Sequence, residues 1–340
     1  MKAAVLKNWK ELKVEEVEKP ALQPGECLIK VIYAGVCGSD VHIYNGHHAT
    51  AKVPMVMCHE IAGEIAEMNG ESKNLKVGDK VTVEPLLSCG ECEACRNGNE
   101  HVCNTLKLLG IHVNGGFAEY VKADIDKVVK LDGIPMDIAV LIEPLAVGLH
   151  VVRRSELKIG QTALIIGGGP IGLVVSMMAK LAGAVRVVVS EGNKERIKLA
   201  EEFGFDTINA FEDNVQEKVK EFTNGEGFDV VYEVTGSKSG VASALSACKV
   251  RGTVVHVGFS GGSYEYNHMP IIFKELKVVG CRVYPMQDFI DTVAVEKSII
   301  NNNTFDLKKL ISDVMTLEEI PKAIDMMTKG VNLSKIVIKL

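Results

Sequence analysis

Cys89, Cys92, Cys95 and Cys103 stand in the order C-x2-C-x2-C-x7-C. Four thiolates this close can complete a tetrahedral shell around Zn²⁺, at ~2.3 Å per bond, and leave no position open. Such a metal would be structural, tying down residues 86–106, which have little apolar pattern of their own. An iron–sulfur cluster is the competing use, but Asn104 follows Cys103 where the bacterial ferredoxin run ends in Cys-Pro. A second set is sparser: Cys37, His59 with Glu60, and Glu143. One thiolate, one imidazole and a carboxylate leave a place on zinc for water or a substrate oxygen. Spacing does not prove this set. A buried thiol, a hydrogen-bonded histidine and two surface acids are the open alternatives. Both short runs lie on loops beside strand-like segments, and Glu143 falls just ahead of a cofactor-binding pattern, where a cleft between domains would form.

That pattern is Gly167-Gly-Gly169-Pro170-Ile171-Gly172. It follows the apolar run 162–166 and opens onto the helix-like run 173–181, so it reads as strand, tight turn, helix. Gly167 permits the turn, Gly169 lets backbone approach a pyrophosphate, and Gly172 lets helix pack on strand. The helix N-terminus offers free N–H groups to phosphate. A second apolar strand, 185–190, ends at Glu191. A carboxylate there can bind both ribose hydroxyls of NAD and repels a 2′-phosphate. Thr235-Gly236 and Gly258-Phe259 end later strand-like runs, at the edge where such ligands bind.

These residues need two kinds of scaffold. The first ~120 residues read mainly as β, with turns at Pro24-Gly25 and Val77-Gly78-Asp79 at the spacing of a small barrel. Residues 36–60 read as loop and 116–121 as strand. Asp137–Arg153 reads as helix interrupted by Pro144. Beyond 162, helices over 193–203, 215–222 and 240–249 alternate with strands over 228–234 and 252–258, which implies a parallel sheet covered on both faces. Two helical stretches, 287–300 and 317–328, and an alternating strand, 335–339, close the chain. The expected fold class is α/β, with a catalytic domain over 1–147 carrying the lobe 86–106, a nucleotide-binding domain over 148–283, and a return to the first domain over 284–340.

At 340 residues and 47% hydrophobic content the chain can build two domains. A net charge of −6 gives no basic footprint for nucleic acid. No apolar run approaches the ~20 residues that span a bilayer, and the first residues carry no secretory pattern. A cytoplasmic enzyme without membrane or nucleic-acid partners is the expectation, and in that reducing setting nine cysteines favour metal over disulfides.

The combination resembles the zinc-dependent medium-chain dehydrogenase/reductase family, in its sorbitol dehydrogenase-like branch. The resemblance runs end to end. It rests on Gly35-Val-Cys37-Gly-Ser-Asp40, His59-Glu60-x-x-Gly63, the four-cysteine lobe, Glu143-Pro-Leu-Ala-Val147, the glycine turn and Val257-Gly-Phe259. It implies a GroES-like catalytic domain interrupted by a Rossmann domain, two zinc ions per chain, and NAD. Cys37 and His59 take the family's ligand positions, Glu143 the polyol-type carboxylate, and Glu60 the acid that can exchange into the shell. Cys58 departs from the family's Gly before this His and reads as a small buried substitution. Ser39 and His42 sit where the family's alcohol dehydrogenases place a proton relay. Arg196 matches an Arg that can flank the adenine. Glu191-Gly192 favours NAD over NADP. The resemblance also implies a homodimer or homotetramer paired through the Rossmann domains. Zinc-free reductases and lens proteins of the superfamily lack both cysteine-bearing sets, so a non-catalytic role is the remote alternative.

The substrate pocket is expected from 39–50, 112–118 and 281–288, including Tyr44, His47, His48, His112, Asn114, Phe117 and Arg282. Few are bulky and apolar, which suits a small polyhydroxylated substrate. Locally, 37–46 and 109–120 look most like L-galactonate and L-gulonate 5-dehydrogenases. A sugar acid needs a cation for its carboxylate, and Arg282, His48 or His112 could supply it. Neutral polyols, L-threonine and 2,3-butanediol are the alternatives.

Overall fold

The computed structural model describes residues 1–259, 262–263 and 266–340. The chain forms two units, Met1–Glu143 with Pro285–Leu340, and Pro144–Tyr284.

The unit Pro144–Tyr284 is a six-stranded parallel sheet. Across it run Asp206–Asn209, Arg186–Glu191, Thr162–Ile166, Phe228–Glu233, Cys248–His256 and Lys277–Gly280. In chain order these are the third, second, first, fourth, fifth and sixth strands, a doubly wound arrangement. Ala163, Leu164 and Ile165 are all buried. A strand covered by helices on both faces reads as such a continuous apolar run. The order reverses between the first and fourth strands, which opens a crevice at their carboxyl ends. The strands Asp206–Asn209 and Lys277–Gly280 have no apolar run long enough to announce them, and pairing with their neighbours defines them.

The other unit is built around the 11-residue strand Glu26–Val36. Its first half pairs with Tyr120–Asp124 and its second half with Lys335–Lys339, while Glu60–Asn69 runs along the other edge. Lys80–Val83 and Val128–Lys130 extend the sheet on one side, and Ile311–Met315 on the other. Strands from both ends of the chain therefore share one sheet. The register sets Gly35 opposite Glu60 and Val36 opposite Ile336. Three strand ends thus meet at one place, and the candidate ligands lie there. Residues 36–60, read above as loop, contain a short helix, Gly38–Tyr44, started by Asp40, whose side chain accepts the Cys37 N–H at 2.8 Å. The strand expected over 116–121 is displaced to Tyr120–Asp124, with Ala118 bridged to Ala3.

One buried acid lies outside every candidate site. Glu296, on the helix Met286–Asn302, has no exposed surface, and neither carboxylate oxygen has a hydrogen-bond partner among the described residues. Burial pushes its pKa well above the usual value. A carboxyl raised in the folded state contributes fully below its unfolded pKa, and that contribution is lost as pH rises toward the folded value. Glu296→Met is therefore expected to stabilise the chain at pH 7–8 by about 1–3 kcal/mol, and by less near pH 4. Melting curves across that range check this; a variant less stable than the parent at pH 8 would contradict it.

Candidate zinc and nucleotide sites

The four lobe cysteines gather between the short paired strands Leu86–Leu87 and Lys107–Leu108. Their Sγ atoms lie 3.5 Å apart for Cys92–Cys95 and Cys89–Cys103, and 3.9 Å apart for Cys89–Cys95. Four bonds of ~2.3 Å to one ion would set neighbouring sulfurs ~3.8 Å apart, so the cradle already has the size of a zinc tetrahedron. Backbone amides aim at it: Cys92 N–H donates to Cys89 Sγ (3.3 Å), and the Cys89 and Thr105 amides donate to Cys103 Sγ (3.4 Å each). Such donors hold the thiols of Cys89, Cys92 and Cys103 below the ordinary value, the thiolate form a metal requires. Burial pushes Cys95 the other way, up to about 12. No ion is part of the structure, and the donor set fits zinc.

The second set also converges. Ligand atoms of Cys37, His59 and Glu60 all lie within 4.8 Å of one another. Cys37 follows the end of Glu26–Val36, and Glu60 begins the adjacent strand. Glu143 lies outside this trio, but its charge acts on His59. Burial works to lower the His59 pKa. The Cys37 thiolate, its hydrogen bond to the ring, Glu143 and Asp40 outweigh that and lift it to about 10. A buried cluster that draws a proton onto imidazole this strongly is anionic enough to suit a dication. One oxygen of Glu60, Oε2, is buried with no hydrogen-bond partner among the described residues. The thiolate, imidazole and carboxylate donors fit zinc.

Asp40, at the end of the run Cys37-Gly-Ser-Asp40, ties the two ligand loops together. It is fully buried and accepts the Cys37 N–H (2.8 Å) on one oxygen and the Cys58 N–H (3.2 Å) on the other. Burial raises its carboxyl to about 6, against the pull of the His59 charge and the two amides. Cys58 is buried at φ +83°, a left-handed backbone in which only glycine is unstrained. That explains the family's Gly. Its Sγ donates to the carbonyls of Gly35 (3.4 Å) and Glu60 (3.3 Å) and stands outside the ligand trio. Ser39 and His42 share one face of the helix Gly38–Tyr44, three residues apart. Ser39 Oγ is buried without a hydrogen-bond partner among the described residues, while His42 is exposed.

Several expected pocket residues are committed elsewhere. Phe117 is fully buried in the core. The Tyr44 hydroxyl donates to Lys10 O (2.9 Å), and Asn114 Oδ1 accepts the Val56 N–H (3.0 Å). His112 Nδ1 accepts the Leu108 N–H (3.0 Å), so a neutral ring carries its proton on Nε2, facing Thr50 Oγ1 at 2.8 Å. His48 Nδ1 accepts the Ala51 N–H at 3.3 Å, and burial lowers its pKa, with His42 adding to the effect. His48 is thus a poor cation for a substrate carboxylate. Arg282 is exposed in the other unit.

In the parallel-sheet unit the glycine turn has a structural reason at each position. Gly167 has φ +108°, and a Cβ on Gly172 would lie 1.8 Å from the Gly167 carbonyl oxygen. Pro170 and Ile171 form the first turn of the helix Pro170–Leu181, capped by Gly169. A Cβ on Gly169 would meet only Arg196 Nη1, at 3.7 Å, so that side is open. Glu191 reaches across the turn. Its Oε2 accepts the Gly168 N–H (2.7 Å), and its Oε1 accepts those of Gly192 (2.7 Å) and Asn193 (2.9 Å). Arg196 stands beside the turn itself. Thr235-Gly236 packs directly on Gly258-Phe259, since a Cβ on Gly258 would fall 2.0 Å from the Gly236 nitrogen. The buried Glu233 carboxylate holds this junction by accepting the Thr235 and Gly236 amides.

A dinucleotide crevice on one unit and a thiolate–imidazole–carboxylate trio on the other define a metal-dependent dehydrogenase. Comparison with known proteins agrees. Residues 23–133 match the alcohol dehydrogenase GroES-like domain, and residues 170–297 the zinc-binding dehydrogenase domain. The chain is 37% identical to the 2-dehydro-3-deoxy-L-galactonate 5-dehydrogenase of Pseudoalteromonas atlantica, over 92% of this chain and 91% of that one. It is 34% identical to the sorbitol dehydrogenase of Bacillus subtilis, over 96% and 93%. The crystal structure of 2R,3R-butanediol dehydrogenase from Bacillus subtilis superposes with a TM-score of 0.90 at 32% identity, covering 100% of this chain and 99% of that one. The chain belongs to the zinc-dependent medium-chain dehydrogenase/reductase family. It is an NAD-linked, zinc-type dehydrogenase of alcohols and polyols. Among the described residues, no helix is long and apolar enough to cross a membrane.

Proposed function

We propose that the enzyme oxidises a secondary alcohol of a sugar acid with NAD, as a hexonate 5-dehydrogenase of the L-gulonate or L-galactonate type. The convergence of Cys37, His59 and Glu60 carries the chemistry. The 37% relative, named for a deoxy-hexonate, supports the substrate class. In this reading Cys37, His59 and a carboxylate, Glu143 or Glu60, hold the catalytic zinc, and the four lobe cysteines hold a structural one. Bound there, zinc would supply the Lewis acidity that lowers the pKa of a substrate hydroxyl. Ser39 takes the hydroxyl proton and passes it toward His42 at the solvent-facing end. Gly167, Gly169, Pro170, Ile171 and Gly172 seat the pyrophosphate, Glu191 the ribose hydroxyls, and Arg196 flanks the adenosine end. Thr235, Gly258 and Phe259 line the nicotinamide side of the crevice.

The test is NADH production by zinc-replete protein from L-gulonate, L-galactonate, L-idonate, sorbitol, galactitol, L-threonine and 2,3-butanediol, with and without chelator. Chelator-sensitive turnover of a hexonate supports the reading. Turnover restricted to a neutral polyol, threonine or the diol overturns the substrate class and keeps the chemistry. Because Glu191 is the ribose-side acid, Glu191→Ser is expected to lower kcat/KM for NAD by about tenfold or more and to raise it for NADP. An unchanged cofactor ratio would remove Glu191 from that role.

The open edge strand Lys277–Gly280, beside the exposed Ile272 (60%) and Phe273 (76%), favours self-association through this unit as a homodimer or homotetramer. Light scattering would read the mass; a monomer at micromolar concentration would contradict it.

A further inference from the structure

Lys335 opens the last strand of the chain, 275 residues from Glu60, yet the two form a buried ion pair. Lys335 Nζ lies 2.5 Å from Glu60 Oε1, with the side chains 6% and 1% exposed. The same ammonium donates to the Val36 carbonyl at 3.3 Å, one residue before Cys37. Lys335 thus contacts the chain beside both Cys37 and His59. On its other side the Glu60 carboxylate is wedged against Gly35, where an added Cβ would lie 1.9 Å from Oε2. Glu60 is therefore held between a glycine that leaves it room and a lysine that binds one of its two oxygens.

The surroundings explain why a cation stands there: Glu60, Cys37 and Glu143 all act on the Lys335 ammonium, and the buried Asp40 acts on His59 beside them. A carboxylate with both oxygens free would compete strongly for any open position on a dication. A carboxylate already hydrogen-bonded to an ammonium competes less.

We propose that Lys335 is a positioning residue that holds Glu60 back from the catalytic metal and so keeps a coordination place for the substrate oxygen. This rests on the assignment of Cys37, His59 and Glu143 to a catalytic zinc, with Glu60 the acid beside that shell. It places a determinant of that site on the C-terminal strand, so docking of Lys335–Lys339 against Glu26–Val36 is part of assembling it.

The experiment compares the parent enzyme with Lys335→Met, Lys335→Arg and the double variant Glu60→Gln/Lys335→Met. Metal content, zinc release to a chromogenic chelator, and the visible spectrum of cobalt-substituted protein titrated with imidazole are measured. In Lys335→Met, zinc release from one of two sites is expected to slow, and imidazole affinity at the cobalt site to fall, by about tenfold each. The cobalt bands shift, and release from the lobe is unchanged. Lys335→Arg keeps the parent spectrum, and the double variant recovers it, because no carboxylate charge remains to be held. A Lys335→Met protein that misfolds while the double variant folds with the parent spectrum also supports the proposal. The proposal is overturned if Lys335→Met has the parent spectrum and imidazole affinity. It is equally overturned if single and double variants are altered alike or both fail to fold, since Lys335 would then be a packing element. A parent enzyme that binds one metal per chain overturns the catalytic-zinc reading itself, and this proposal with it.

Discussion

His59→Ala is expected to lose about a thousandfold or more in kcat/KM while retaining one zinc per chain. Lewis-acid activation of a hydroxyl is worth several kcal/mol of barrier, and each 1.36 kcal/mol is tenfold in rate. Cys37 and the neighbouring carboxylates remain in the variant, so some metal affinity persists, but the imidazole donor is gone. The four lobe sulfurs are untouched, which is why one zinc stays. The fold should survive, because His59 lies on a loop between ordered strands and the backbone pairing on either side does not depend on its ring. Metal analysis, melting and steady-state rates on the same preparation separate these statements. A variant that keeps two metals and near-parental turnover would remove His59 from the catalytic site.

Cys95→Ser should act on stability. Cys95 is the buried member of a cradle that holds residues 86–106, where the only regular structure is a four-residue helix, one 3-10 turn and half of a two-stranded pairing. Leu86, Cys95, His101, Cys103 and Leu106 are all this stretch buries among its described residues. A lobe with so little core depends on its metal, and structural zinc binding is directly folding free energy. The variant is expected to hold one zinc instead of two, to melt about 10 °C or more lower, and to be cut within 86–106 by protease at concentrations that spare the parent. Parental melting and an intact lobe would show that the four cysteines are dispensable to the fold.

The sites differ in how far their parts lie apart along the chain, and that decided how much was legible. The lobe cysteines fall within 15 consecutive residues, and the glycine turn, its strand and Glu191 within 30. Geometry at that range is set by local backbone, so spacing alone carries the chemistry. The metal trio was legible only as candidate types near strand-like runs, because the register of Glu26–Val36 with Glu60–Asn69 brings them together, and a one-residue slip would turn every side chain to the other face. The helix Gly38–Tyr44 escaped notice because its N-terminus is set by Asp40, in a stretch whose glycine, asparagine and histidine content reads as loop. Pocket composition misled for a related reason. Phe117, Tyr44, Asn114 and His112 are polar or aromatic in the right stretches, but the fold spends them on core packing or on backbone groups.

Apolar periodicity, glycine at forced backbone positions and metal-ligand spacing are local properties, so the two classes of site and the fold that carries them are legible along the chain. That a lysine 275 residues away sits on Glu60 is a long-range result of strand pairing. Nothing in Lys335-Ile-Val-Ile-Lys339 marks its first residue as buried, since a lysine at the start of a strand is ordinarily solvated. Its burial follows from pairing the last strand against Glu26–Val36 at the point where the metal ligands emerge.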